Sequence, residues 1–198
     1  MGQSGEEMDH PQTQSHRHLS DLTPSLVARL RSGEGDAGAF LNELYRDVLV
    51  RFCWGYLGSM DEAEDAVQDI CFKVLAAKTV PDGFRAWLYR IARNHCNNLL
   101  RDRIRRREVG ELPMPSQVHE ALTGQLTRLV KVEQQSRLNQ LVAQLPEAVR
   151  EVLRLRYVED LPRKEIAEIL EVTESVVKSR LFIGLQRLRE AAADGAGD

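Results

Sequence analysis

The chain has 198 residues, of which 42% are hydrophobic and 29% charged, enough apolar side chains to pack one domain or two small ones and too many for global disorder. Its formal net charge of −3 does not by itself suggest a nucleic-acid-binding protein, but the charges are segregated along the chain. Residues 61–69 hold five acids and no base, whereas residues 85–107 hold eight arginines and a single acid. Such segregation is typical of a protein whose different surfaces meet different partners.

The cysteines and the apolar stretches indicate the cellular compartment of the protein. Cys53, Cys71 and Cys96 are odd in number, widely spaced and set in helical patterns, as is typical of reduced, mostly buried thiols in a cytosolic protein. No apolar stretch approaches the roughly 20 residues needed to cross a bilayer. Residues 1–20 are polar and lack the apolar segment of a secretory signal. We therefore expect a cytoplasmic protein without membrane insertion.

The N-terminal segment is predicted to be a tail followed by a short helix. Residues 1–22 are rich in Gln, Ser, His and Gly, a composition that predicts a disordered tail. Thr23 and Pro24 predict the start of a helix, because a capping threonine precedes a proline that is favoured at the first helical position. Gly33 predicts the end of this helix.

Three longer helices are predicted to follow. The apolar period indicates a helix over residues 36–57. The next begins near Ser59 and carries the acidic run in its first turns, where the helix dipole favours negative charge. A fourth begins at Phe84 and continues through the arginines up to residue 107. Residues 23–107 are therefore expected to form one helical domain.

The second half of the chain is predicted to form a second helical domain. Residues 108–125 contain two prolines and two glycines and are interpreted as a flexible linker that alone joins the two domains. Helical periodicity resumes over residues 126–190, with a helix opened by Pro146, and residues 191–198 are expected to be a disordered tail. Because no segment shows sustained strand alternation, the predicted fold class is all-α.

The last part of this domain has the layout of a helix-turn-helix. The inward positions of its two short helices are apolar and seat one helix on the other: Ile166, Ala167, Leu170, Val172, Val177 and Leu181. Thr173 can cap the second helix. The outward positions near the start of that helix are polar, as in a helix that meets base edges and phosphates in the major groove: Glu174, Ser175, Lys178, Ser179 and Arg180. The alternative is an ordinary helical hairpin with a solvated face.

Two stretches of the chain resemble conserved regions of bacterial sigma factors. The helix before the helix-turn-helix closely resembles their fourth region, with the sequence LPEAVREVLRLRYVEDL at residues 145–161. The first domain resembles their second region, with AEDAVQD at residues 63–69 and FRAWLYRIARN at residues 84–94. The chain contains these two regions in the family's order, joined by a short linker and with few other residues. It therefore resembles a sigma factor of the extracytoplasmic-function type.

The resemblance implies two functional surfaces in the first domain. One would dock on a coiled coil of the largest subunit of RNA polymerase through Glu64, Asp65, Gln68 and Asp69, although a solvated acidic face is the alternative. The other would bind the melted downstream promoter element, with arginines on phosphates and asparagines on base edges: Arg85, Arg90, Arg93, Asn94, Asn97, Asn98, Arg101 and Arg103. Trp87 is expected to lie in the core rather than to stack on a base.

Some positions depart from the family's usual pattern. Glu171 stands where glycine is usual in the turn, so it must adopt a left-handed conformation or shift the turn. Ile183 and Leu185 replace basic residues, and we expect them to add apolar surface to the last helix for a protein partner. The loop over residues 77–83, before the fourth helix, is short and lacks the family's aromatic-Arg-Gly element, which puts capture of a flipped promoter base in doubt.

The resemblance further implies the partners, and the residues themselves argue against catalysis. Expected partners are core RNA polymerase, promoter DNA (duplex upstream, single-stranded downstream) and an inhibitory anti-sigma factor. The alternative is a helix-turn-helix regulator with two domains that does not carry polymerase to promoters. The sequence offers no nucleophile with a base, no phosphate-binding glycine loop and no convincing metal ligands, since His95 and Cys96 are adjacent on a helix and diverge. We therefore expect no enzymatic activity and no cofactor or metal.

Overall fold

The computed structural model describes the backbone of residues 11–108, 141–142 and 144–194, and the side chains of residue 19 and of residues 21–106, 141–142 and 144–190. Over this part of the chain the structure consists of helices without strands, which confirms the all-α prediction. The helices are α1 (Pro11–Ser32), α2 (Ala37–Leu57), α3 (Met60–Leu75), α4 (Phe84–Glu108), α5 (Glu147–Tyr157), α6 (Arg163–Leu170) and α7 (Glu174–Asp194). No helix of the described part is long and apolar enough to span a membrane.

Helices α1–α4 form the first lobe, and their boundaries follow from local signals. Gly58 ends α2 in the left-handed conformation, with φ 74°, which a glycine adopts without steric cost. Ser59 caps α3 by accepting a hydrogen bond from the backbone N–H of Glu62. Cys53 and Cys96 are buried in the core of this lobe and Cys71 is half-buried, as the sequence predicted.

Helix α1 is longer than the sequence predicted. It begins at Pro11 and contains Pro24 in its interior, so the expected helix start at Thr23 was wrong. Residues 11–22 of the expected tail belong to this helix, and residues 1–10 lie outside the described residues. The reason is burial on one face, because Leu19 and Leu26 are seven residues apart and both lie in the core. Thr23 also connects α1 to α2 through a 2.7 Å hydrogen bond between its hydroxyl and that of Tyr45.

Helices α5–α7 form the second lobe, in which α5 packs against both α6 and α7. Gly184 brings α7 close to α5, since a Cβ there would lie 2.8 Å from Leu153 Cδ1 and 2.9 Å from Val149 Cγ1. Leu185 packs against the cluster of Leu145, Val149 and Leu153. The expectation that Leu185 adds exposed apolar surface was therefore wrong. Helix α7 continues to Asp194, past the predicted boundary at residue 190.

The two lobes pack against each other and share one hydrophobic core. Helix α4 lies against α6, and a continuous cluster joins buried residues of the first lobe to those of the second, among them Phe52, Leu88, Val152, Leu155, Ile166 and Leu170. Burying a side chain of this size stabilises by about 1.5–3 kcal/mol. The expectation that only a linker joins the domains was therefore wrong. The predicted linker itself lies outside the described residues, apart from Glu108 at the end of α4.

Candidate nucleic-acid interface

The turn between α6 and α7 has helix-turn-helix geometry. Glu171 adopts the left-handed conformation, with φ 55° and ψ 43°, one of the two outcomes expected for a residue in the place of the usual glycine. Thr173 caps α7, because its Oγ1 accepts a hydrogen bond from the Val176 N–H at 3.3 Å. Val172 is half-buried in the turn and Val177 is fully buried, so α7 is seated on α6 as predicted.

The polar side of α7 faces solvent. Glu174, Ser175, Lys178 and Ser179 are exposed, and Arg180 is half-buried. These five residues occupy the first two turns of the helix, where a major-groove helix meets DNA. Two apolar neighbours extend the same exposed surface: Phe182, which the sequence pattern did not single out and which is 67% exposed, and Ile183.

The four predicted docking residues lie together on α3. Asp65, Gln68 and Asp69 are exposed, and we call them the acidic face. Glu64 lies at the edge, where its carboxylate accepts a 2.9 Å hydrogen bond from Arg46 of α2. Phe72 is 70% exposed one turn further along, three residues after Asp69 and four after Gln68, a spacing that could have identified it in the sequence.

A buried histidine supports the acidic face from α4. His95 Nε2 lies 3.3 Å from the Asp69 carboxylate, and His95 Nδ1 contacts the Lys73 ammonium. Burial and the Lys73 charge lower the pKa of His95, and the Asp69 charge offsets this only in part. A neutral His95 leaves the negative charge of Asp69 available to an external partner.

Two arginines predicted to hold promoter phosphates bind carboxylates of the second lobe in this structure. Arg85 donates from Nε and Nη2 to the two carboxylate oxygens of Glu165 on α6, at 2.7 and 2.8 Å. Arg93 does the same with Glu151 on α5, at 2.7 and 3.1 Å. Arg90 lies more loosely, 3.9 Å from Glu171. Arg85, Arg90 and Arg93 therefore form an arginine face of α4 that is turned towards the second lobe.

The rest of the predicted strand-binding set lies further along α4. Asn94, Asn98 and Arg101 are exposed, and Arg101 donates to the Asn98 amide oxygen at 3.2 Å. Asn97 is half-buried. Arg103 pairs with Glu62 and donates to the Leu57 carbonyl, so in this structure it ties α4 to the start of α3.

Trp87 and the loop before α4 belong to the framework of the first lobe. Trp87 is half-buried against the core with its ring centroid 5.8 Å from that of Phe84, which fits the expected core position. The loop is fastened to α1, because Arg31 donates to the Val80 carbonyl from Nε and Nη2 and to the Asp82 carboxylate at 2.7 Å.

The interface between the lobes also contains buried charged groups. Arg154 of α5 is 4% exposed, with its guanidinium carbon 3.6 Å from the ring centroid of Tyr56 and 4.7 Å from that of Phe52. Glu159 is fully buried, accepts a 3.1 Å hydrogen bond from Tyr89 and lies 3.8 Å from Arg51. Burial raises the pKa of Glu159, and the nearby arginines offset this only in part.

These interface residues were missed by sequence reasoning, although one signal pointed to them. In the sequence, the apolar residues of α5 spread over more than one helical face, and the structure buries them together with Arg154: Val149, Val152, Leu153 and Leu155. Val149 and Leu153 face α7, whereas Val152 and Leu155 belong to the core shared with the first lobe. A charged residue, Arg154, inside this buried run indicates a contact with a second surface.

Comparison with known proteins places both lobes in one family. The families described as Sigma-70 region 2 and Sigma-70 region 4 match residues 41–106 and 135–188. The ECF RNA polymerase sigma factor SigW of Bacillus subtilis is 30% identical over 184 residues, covering 85% of this chain and 95% of SigW.

Two solved structures have a similar fold. CnrH in complex with the cytosolic domain of CnrY matches with a TM-score of 0.59 at 21% identity, covering 87% of this chain and 97% of that one. The sigma factor RpoE in complex with the anti-sigma factor NepR from Bartonella quintana matches with a TM-score of 0.54 at 22% identity, covering 77% and 94%. With both sigma regions present and SigW matched over nearly its whole length, the chain belongs to the ECF sigma factors of bacterial RNA polymerase.

Proposed function

We propose that three helices of this ECF sigma factor make its three contacts in transcription initiation. Helix α3 binds polymerase, α4 binds the melted strand and α7 binds duplex DNA. A sigma factor binds core RNA polymerase and directs it to promoters, where transcription starts. It acts by binding, so we propose no catalytic step for this chain. We also propose that the chain is located in the cytoplasm, where the polymerase works.

The observation that carries the proposal is the arrangement of α7. Its capped N-terminus and first two turns present Lys178, Ser179 and Arg180 on one side, while Val177 anchors the other side in the core. Backbone N–H groups and cationic side chains at a helix N-terminus suit phosphates and base edges of the major groove. We therefore assign the duplex upstream element to Glu174, Ser175, Lys178, Ser179 and Arg180.

The acidic face of α3 is suited to a basic protein surface rather than to DNA. Asp65, Gln68 and Asp69 are exposed together on one side of the helix, and Glu64 lies beside them. The neighbouring Phe72 adds an aromatic side chain of the kind that anchors protein interfaces. We assign these residues to core polymerase.

The arginines and asparagines of α4 are suited to an unpaired strand. Guanidinium groups hold phosphates, and the exposed Asn94 and Asn98 can reach base edges. We assign the melted downstream element to Arg85, Arg90, Arg93, Asn94, Asn97, Asn98, Arg101 and Arg103. Three of these arginines must leave a carboxylate to take part: Arg85 leaves Glu165, Arg93 leaves Glu151 and Arg103 leaves Glu62.

We further propose domain limits and an inhibitory partner. The family matches support a first domain over residues 23–107 and a second over residues 126–190, allowing for the longer α1 and α7. RpoE, a solved structure of similar fold, was solved with an anti-sigma factor. We propose that an anti-sigma factor also controls this chain.

The proposed function is tested by transcription from purified components. Core polymerase plus this chain, with no other factor, should start transcripts at a defined promoter. Lys178→Ala with Arg180→Ala should reduce initiation strongly, whereas Arg187→Ala with Arg189→Ala removes two charges from the same helix beyond its first turns and should have little effect. Absence of defined transcripts with the unmodified chain would favour a DNA-binding regulator that does not carry polymerase.

A further inference from the structure

His95 of α4 lies between two opposite charges of the docking helix α3. Asp69 and Lys73 are four residues apart on α3, a spacing at which an acid and a following base commonly pair on a helix surface. Here the imidazole of His95 contacts both of them. Its Nδ1 contacts the Lys73 ammonium, and its Nε2 lies 3.3 Å from the Asp69 carboxylate.

The position of the ring proton follows from these contacts. A charged ammonium can only donate, so Nδ1 of His95 accepts from Lys73, and the proton of the neutral ring is on Nε2, which faces Asp69. The histidine is 8% exposed, and Nε2 makes no hydrogen bond of good geometry within the described part of the chain. The approach of Nε2 to Asp69 is therefore an electrostatic contact, which a positive charge on the ring would strengthen.

The charges that act on this ring come from α3. Burial and the Lys73 ammonium lower the pKa of His95 from its ordinary value of 6.5, and the Asp69 carboxylate offsets this only in part. Among the described residues, no charge on α4 itself or on α1, α2 and α6, which also pack against α4, shifts this pKa. The thiol of Cys53 on α2 contacts the next residue, Cys96. The ring is therefore neutral near pH 7 and becomes a cation on acidification.

The charge on the ring decides what Asp69 offers to a partner. The Asp69 side chain is 62% exposed, so a basic protein surface can reach its carboxylate. A neutral His95 leaves the negative charge of Asp69 in place. A protonated His95 would pair with Asp69 and cancel one of the charges of the acidic face.

We propose that His95 is a positioning residue for polymerase docking. Its neutral ring keeps Asp69 apart from Lys73, so that the acidic face retains its charge, and protonation of the ring weakens docking. The inference rests on the proposed role of α3 in binding polymerase. The docking surface of α3 then depends on a side chain of α4.

The first test measures the Kd of the full chain for core polymerase by biolayer interferometry from about pH 7.5 to about pH 5.5, where a histidine changes charge. His95→Gln keeps an acceptor for Lys73 and a donor for Asp69 but gains no proton. On acidification, docking of the unmodified chain should weaken at least about threefold more than docking of His95→Gln, as expected for the loss of one interface charge. His119→Gln removes a histidine outside the described residues and is the matched control, which should behave as the unmodified chain.

His95→Ala tests whether the ring keeps Asp69 and Lys73 apart. Without the ring, the two side chains can pair directly one turn apart, so His95→Ala should bind polymerase more weakly than His95→Gln at about pH 7.5. Circular dichroism checks that helical content is retained, and a loss of it would leave the pH comparison to decide. The positioning role would be overturned by equal binding of a folded His95→Ala and His95→Gln, or by the same pH dependence in the unmodified chain and His95→Gln.

Proton NMR of the histidine rings provides a readout without polymerase. The resonance of His95 is identified by its absence from His95→Gln and is then titrated in the free chain. Lys73→Gln should raise the pKa of His95 and Asp69→Asn should lower it, because each removes one of the two charges that shift it. A pKa that neither substitution changes would overturn the proposed arrangement. Retained polymerase binding by Asp65→Lys would instead refute the docking surface itself, whatever the titration of His95 shows.

Discussion

The guanidinium of Arg93 on α4 donates two hydrogen bonds to the carboxylate of Glu151 on α5, at 2.7 and 3.1 Å, and so ties the two lobes of the protein together. Tyr56 of α2 donates to the same carboxylate at 2.7 Å. The side chains of Arg93 and Glu151 are 24% and 13% exposed, so solvent screens this pair less than a surface ion pair. Breaking the Arg93–Glu151 pair should weaken the packing of the two lobes and lower the free energy of unfolding.

The first prediction is a loss of stability in acid that depends on Glu151. Burial opposes ionisation of this carboxyl, but the hydrogen bonds from Arg93 and Tyr56 outweigh burial and hold its pKa below the ordinary value of 4.5. The stabilisation that the ionised Glu151 provides is therefore present above about pH 4.5 and is lost as the pH falls through the lowered pKa. Urea unfolding over this range should show a shallower acid loss for Glu151→Gln. Equal slopes would contradict the assignment.

Glu159 should show the opposite pH dependence. Because its pKa is raised in the folded protein, chiefly by burial, its contribution is present at low pH and lost as the pH rises through the raised pKa. The facing groups Arg51, Arg154 and Tyr89 do not remove this cost. Relative to the unmodified chain, Glu159→Gln should gain stability in urea unfolding as the pH rises above 4.5. A difference that stays constant with pH would show that Glu159 is stably ionised in the interface.

Gly55 is predicted to be required for the buried position of the Arg154 side chain. A Cβ at Gly55 would lie 2.8 Å from Arg154 Nη1, so Gly55→Ala must displace a buried guanidinium from the rings of Phe52 and Tyr56. We expect a loss of about 1–3 kcal/mol in unfolding free energy. Gly38→Ala on the same helix meets only the flexible Leu75 side chain, at 3.2 Å, and should be neutral or stabilise by up to about 1 kcal/mol. Equal effects of the two substitutions would argue against this role of Gly55.

Polymerase docking should depend on the sign of the charge on α3. Asp65→Lys places a cation on the exposed acidic face and should abolish co-purification with core polymerase without loss of helical content by circular dichroism. Glu43→Lys makes the same change at an exposed position of α2 and is the control. Retained binding by Asp65→Lys would refute the docking assignment. Asp69 is a less suitable position, because it contacts His95.

The sequence predicted best the features that local signals determine. Helix ends at Gly58 and Ser59, the cap at Thr173 and the inward Val177 follow from residues close in the chain. The left-handed Glu171 was foreseen as one of two outcomes because this residue stands where the family pattern has glycine. The exposed positions on α3 and α7 follow from helical period alone.

Features that depend on contacts distant in sequence were not predicted. A helical period shows which face is buried but not against what, so the packing of α4 on α6 and the partners of Arg85 and Arg93 were not foreseen. Leu185 replaces a basic residue of the family pattern, yet it fills a space between α5 and α7. The start of α1 was missed because Thr23 and Pro24 form a typical helix start. The burial of Leu19 and Leu26, which extends the helix towards the N-terminus, is visible only in the structure.

The division of labour between α4 and α7 is tested most directly by footprinting polymerase loaded with variants of this chain on promoter DNA. Nuclease protection reports the duplex upstream contact, and permanganate reactivity of unpaired thymines reports melting. Lys178→Ala with Arg180→Ala should lose upstream protection, at about 1–3 kcal/mol for each base contact removed. Arg85→Ala with Arg93→Ala should keep that protection and lose the reactive thymines. Loss of both signals to the same extent in both variants would contradict the assignment of separate DNA surfaces to the two lobes.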